Sequence, residues 1–230
     1  MFRNLSRHPK FKEALFLFTL SLLCFLASIF RCWFTDSKVY LFLNWNLFLA
    51  FIPWALTLLI KVSSHSKYRK LKTTGLLLSW LLFFPNAPYI LTDLFHLSSN
   101  SSMPLWFDLI LILSFAWTGL LFGLLSLGNI EAHLSYYVQK HWLPIGSTAL
   151  LFLSSFGIYL GRYLRWNSWD VVQNPGGLLS DIGHRIVFPF QHPQTWGMTL
   201  FMGLFLVGVY TSLRLLKNNF SNTTLLAPQS

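Results

Sequence analysis

Six stretches of about twenty mainly apolar residues, at 13–30, 40–60, 72–92, 105–128, 143–163 and 195–215, constrain this chain more than any motif does. A helix rises about 1.5 Å per residue, so each stretch suffices to cross a hydrocarbon core of roughly 30 Å. Charged residues make up only 10% of the chain and apolar residues 54%, whereas about a quarter of a soluble domain is charged. The expected fold class is all-α: a polytopic transmembrane bundle of about six helices forming one membrane domain over 1–217, followed by a polar, disordered cytoplasmic tail over 218–230.

The first run follows Arg3, Arg7, Lys10 and Lys12 and ends in Phe30-Arg31-Cys32-Trp33 with no small-residue cleavage site. It therefore reads as an uncleaved helix. Cys24 and Cys32 on that helix would lie about 12 Å apart, beyond disulfide reach. The third run is interrupted by Pro85 and Pro88, so the helix is expected to kink or restart there, or to fold back as a re-entrant hairpin.

Alternate connections divide the basic residues unevenly. One side holds Arg3, Arg7, Lys10, Lys12, Lys61, Lys67, Arg69, Lys70, Lys72, Lys140, Arg214 and Lys217; the other holds Arg31, Lys38, Arg162, Arg165 and Arg185. The richer side is expected to be cytoplasmic, which places both termini inside. Of the seven acidic residues, only Glu13 and Glu131 fall on that side. The net charge of +10 is thus explained by topology and by attraction to anionic lipid, with no need for a nucleic-acid partner.

Polar groups converge on the other side. Asn44 and Asn46 open the second helix, Asn86, Asp93 and His96 close the third, Asp108 opens the fourth, and Arg162, Arg165, Asn167 and Asp170 close the fifth. Asp93 and His96 stand at i and i+3, where a carboxylate can orient an imidazole for acid–base work, which makes them the candidate catalytic pair. Interfacial solvation explains the same two residues equally well. Asn86, Asp108, Arg162, Arg165, Asn167 and Asp170 are the candidate headgroup-binding residues. Arg162 follows Gly161 among apolar neighbours and is expected to pair with Asp93 or Asp108.

The connection 167–194 contains Asn174-Pro175-Gly176-Gly177, Asp181, His184 and His192, and suits a lid, a re-entrant segment or a plain loop. A zinc site from His96, His184, His192 and an Asp is conceivable but lacks any recognised ligand spacing, so no metal and no cofactor is expected. Gly119 with Gly123, and Gly157 with Gly161, allow close helix packing inside the bundle or, alternatively, between copies in a homo-oligomer. Nucleotide-binding loops, a serine-hydrolase elbow and a zincin helix are absent from the sequence.

The run FPNAPYILTDLFHL over 84–97, preceded by Asn44-Trp45 and followed by GRYLRWNSWD over 161–170, resembles domain-of-unknown-function family 1361. The resemblance covers roughly 40–185. It implies a multi-pass protein of the bacterial cytoplasmic (inner) membrane and brings no catalytic residues with it. Three functions stay open: binding or processing of a lipid or envelope-precursor headgroup at the extracytoplasmic face, a non-catalytic structural or accessory module, and a small-solute transporter. Membrane lipids, including anionic headgroups, are the expected partners.

Overall fold

A computed structural model describes residues 9–62, 69–98 and 103–226, and every described element is helical. The helices are α1 (Pro9–Thr35), α2 (Phe42–Val62), α3 (Arg69–Phe83), α4 (Asn86–Tyr89), α5 (Leu105–Leu134), α6 (Trp142–Tyr163), α7 (Asp170–Gln173), α8 (Pro175–Val187) and α9 (Pro193–Leu226). Two 3₁₀ segments, Ile90–His96 and Pro189–Gln191, complete the order. Arg3, Arg7, Lys67 and the last residues of the expected tail, 227–230, lie outside the described residues, and α9 extends to Leu226.

Six helical stretches are long and apolar enough to cross a membrane: Lys10–Thr35, Phe42–Val62, Lys70–His96, Leu105–Leu134, Trp142–Tyr163 and Pro193–Leu216. The chain is therefore a multi-pass, all-helical membrane protein. Many large apolar side chains, including Phe18, Phe34, Trp106 and Phe201, point outward, as expected where the surrounding solvent is lipid.

The third span is not a uniform helix. Its α-helical part ends at Phe83, and a turn at 84–85 leads into the single turn of α4 and then the 3₁₀ segment. Pro85, Tyr89 and Ile90 all keep right-handed helical dihedrals, so the chain tightens here without reversing. Neither proline supplies an N–H, and the backbone compensates with shorter-range bonds such as Ala87 N to Phe84 O at 3.2 Å.

Contacts divide the chain into two compact units, 1–133 and 134–230. In the first, α5 is the most enclosed span, with Leu111, Ile112, Phe115, Ala116 and Phe122 packed in one core with Leu17, Cys24, Leu43, Leu47, Ala50, Trp54, Ala87 and Ile90. The proline segment seats directly on the glycine face of α5. A Cβ on Gly123 would come 2.8 Å from Ala87 Cβ, and one on Gly119 would come 2.7 Å from Ile90 Cδ1 and 3.1 Å from the Ala87 carbonyl oxygen. This face is filled from within the chain. In the second unit α6 packs along α9, where Gly203 lies under the Phe152 ring and Phe156 stacks on Trp196 at 5.9 Å.

Candidate functional site

The polar residues of the first unit gather at one end of its helices. Arg31, in the penultimate turn of α1, meets Asp108, in the first turn of α5, through two bonds: Nε to Oδ1 at 2.6 Å and Nη2 to Oδ2 at 3.1 Å. Both residues are buried, Arg31 at 3% exposure and Asp108 at 0%. The helix dipoles favour each charge where it sits, a cation near a C-terminus and an anion at an N-terminus. The planar guanidinium also lies over the Tyr40 ring, 4.3 Å from its centroid.

Tyr40 extends this pair toward the proline segment, because its hydroxyl donates to the His96 carbonyl oxygen at 3.0 Å. Burial, and then the Asp108 carboxylate, push the Tyr40 phenol above its ordinary pKa, with Arg31 opposing. The phenol stays protonated and able to donate. Next to it, Asn44 Nδ2 donates to Ser28 Oγ at 2.9 Å and to the Leu41 carbonyl at 3.2 Å.

Asp93 is 1% exposed, and its Oδ2 accepts from Asn46 Nδ2 at 2.7 Å. His96 is exposed, with its ring tilted 67° to that of Phe42 and the two centroids 5.1 Å apart. Both lie in the 3₁₀ segment, where residues three apart eclipse one another and form one row. Asn86 is half-buried and turns its amide back to the Phe83 carbonyl at 3.0 Å, where it helps to close α3.

The remaining candidates belong to the second unit. Arg162 is half-buried in the last turn of α6, and Arg165 is exposed just beyond it with a left-handed φ of 61°. Asn167 and Asp170 bind each other: the Asp170 carboxylate accepts from the Asn167 backbone N–H at 2.6 Å and from its side-chain amide at 3.4 Å. This closes the turn that starts α7. Asp108, which the sequence suggested as a partner for Arg162, is held by Arg31.

Two further groupings stand out, of which the first was not anticipated and the second contains residues named in the 167–194 connection. At the other end of the first unit, Lys10 Nζ donates to Asn129 Oδ1 at 2.7 Å and to both Glu13 oxygens at 3.1 and 3.2 Å, and Trp54 Nε1 donates to Glu13 Oε1 at 2.9 Å. Asn129 Nδ2 continues to Thr57 at 3.0 Å, tying α1, α2 and α5 together. In the second unit, His184 Nδ1 and His192 Nε2 share a hydrogen bond at 2.7 Å, while Asp181 accepts from Trp166 Nε1 at 2.8 Å and pairs with Arg185 at 3.3 Å. No group of three or more metal-ligating side chains occurs among the described residues.

No curated protein and no solved structure matches the chain. A family model does match, over residues 45–209, and it spans the proline segment, the start of α5 and the α6–α9 connection described above. On that match, the chain belongs to the family described as protein of unknown function (DUF1361).

Proposed function

We propose that this membrane protein binds or processes a lipid or envelope-precursor headgroup at the end of the bundle where Arg31, Tyr40, Asn46, Asp93, His96 and Asp108 gather. The observation that carries the reading is the buried Asp93 carboxylate, held by Asn46, with the exposed His96 three residues further along the same 3₁₀ segment. A buried carboxylate oriented by Asn46 stands one turn from an exposed imidazole, so a proton can be exchanged at the rim while the carboxylate supports the charged ring. Arg162 and Arg165, in the second unit, are proposed as separate contacts to anionic lipid headgroups, since arginine offers a phosphate two parallel N–H donors.

This reading places the site on the extracytoplasmic face, with both termini in the cytoplasm and the chain in the bacterial inner membrane. The skewed distribution of lysine and arginine among the connections supports that orientation. The test is mass spectrometry of lipids copurified with the wild-type chain and with His96→Ala and Arg162→Ala. The expected result is a specific anionic lipid in the wild type that both variants lose. Identical lipid profiles in all three would overturn the proposal.

A second reading, a non-catalytic structural or accessory module, is favoured by the Arg31–Asp108 pair. The pair is buried and bidentate, as in a pin between α1 and α5. Retention of the same lipid by all three proteins would leave this reading in place.

A further inference from the structure

We propose that α8, with the 3₁₀ corner that follows it, is not a loop over the bundle but an amphipathic helix lying in the membrane interface, its apolar face in lipid. The helix spans thirteen residues, Pro175–Val187, or about 20 Å, too short to cross a core of roughly 30 Å. It directly connects two spans, starting soon after α6 and ending just before α9, so both of its ends are tethered near the membrane boundary.

The argument turns on which face the protein covers. At about 100° per residue, Leu179 and Ile186 share one side of α8 with Ile182 beside them, His184 lies opposite, and Asp181 and Arg185 lie on a flank that also carries Leu178. In a helix that packs on a protein core in water, the apolar side faces inward. Here the flank carrying Asp181 and Arg185 is the one that bonds to the rest of the unit, with Leu178 and Ile182 half-buried beside it. Asp181 accepts from Trp166, Arg185 is buried with its guanidinium 5.9 Å from the Tyr159 ring centroid, the Arg185 carbonyl accepts from Trp196 Nε1 at 3.2 Å, and His184 meets His192.

The Leu179–Ile186 side is the one left uncovered. Leu179 is 68% exposed, and Ile186, Val187 and Phe188 are also exposed; Phe190 at the corner reaches 97%. In water such a contiguous patch would be anomalous. It continues into surfaces already facing lipid, because Trp196, Leu200 and Phe201 of the α9 span are exposed immediately beyond it. Trp169, which precedes α7, and Val172 within it are also exposed, and tryptophan is the residue enriched at headgroup depth. A helix held to protein on its Asp181–Arg185 flank, with Leu179 and Ile186 turned outward, is suited to an interfacial location where those side chains enter lipid.

The inference rests on the six-span membrane assignment and is independent of the headgroup site. Full-length protein carrying a single environment-sensitive fluorophore at Leu179→Cys, Ile186→Cys, Phe190→Cys or Ser180→Cys, with Cys24 and Cys32 replaced by alanine, is reconstituted into phosphatidylethanolamine/phosphatidylglycerol vesicles. Positions 179, 186 and 190 should emit at shorter wavelength and lose intensity to nitroxide-labelled lipid. Position 180, on the exposed polar flank, should lose intensity to aqueous iodide. Iodide quenching at 179 and 186 equal to that at 180 would overturn the proposal in favour of a water-exposed patch. Protection of those two positions from both quenchers would overturn it in favour of a protein partner or a second copy.

Discussion

Replacing Asp108 with asparagine leaves a buried guanidinium facing a neutral amide. In the wild type both side chains are almost fully enclosed, at 4% and 0% side-chain exposure, and the carboxylate meets Arg31 through two bonds. Removing one member of such a pair typically costs about 3–5 kcal/mol, because the remaining charge keeps its desolvation penalty and loses the compensation. At about 1.4 kcal/mol per tenfold, that is a loss of two to more than three powers of ten in the folded-to-unfolded ratio. Arg31→Met should also destabilise, since the buried Asp108 carboxylate then loses its guanidinium. The combined Arg31→Met/Asp108→Leu variant should recover most of the loss, because both desolvation penalties vanish and the volume is kept. A double-mutant cycle of thermal or denaturant unfolding in detergent measures this coupling. Wild-type stability of Asp108→Asn, or a double variant whose loss equals the sum of the singles, would refute the reasoning.

Gly123→Ala should destabilise the first unit by about 1–3 kcal/mol, since the new methyl would overlap Ala87 Cβ. Gly75→Ala, with nothing within 4 Å, should be neutral or slightly stabilising in the same melting assay. His192 is held below its ordinary pKa of 6.5 by lost hydration and then by the positive charge of Arg185, with His184 adding to it and Asp181 opposing. The folded corner therefore binds fewer protons than the unfolded chain in the interval below 6.5. Its stability is complete above that pH and falls as pH drops toward the depressed value. Hydrogen exchange across 184–195 should accelerate over that interval, and a rate profile free of any such step would contradict the assignment. Finally, an impermeant thiol reagent applied to intact cells should label Asn174→Cys and spare Lys70→Cys; the reverse pattern would invert the proposed orientation.

The six spans were legible because lipid demands uninterrupted apolar length, a requirement written into local sequence. Asp93 and Asp108 also stood out, as carboxylates at the ends of apolar runs. Their partners did not, because nothing local links Arg31 to a residue 77 positions away. One signal was present: Leu17, Cys24, Ser28 and Arg31 recur at helical spacing, and all four are buried on one side of α1. The network of Lys10, Glu13, Trp54 and Asn129 was hidden for the same reason, since each of its members reads alone as an ordinary interfacial residue. Gly119 and Gly123 were readable as a packing face, while their occupant, the proline segment, was not. The segment 167–194 reads as loop-like because its Pro-Gly-Gly start and short length mask a period of 3.6 carried by only a few apolar residues.

The Arg31–Asp108 pair also sets an order of events during biogenesis. The two residues are separated by 77 positions, and at typical synthesis rates of about 5–20 residues per second Arg31 emerges roughly 4–15 s before Asp108. Until α5 is made, α1 enters the bilayer with a cation near its end that has yet to meet its carboxylate. Proximity to headgroups, or transient shelter from the insertion machinery, must hold that cation in the interval. When α5 arrives, its first turn brings in the counter-charge. The ion pair can thus join the first span to the fourth only once α5 has been made.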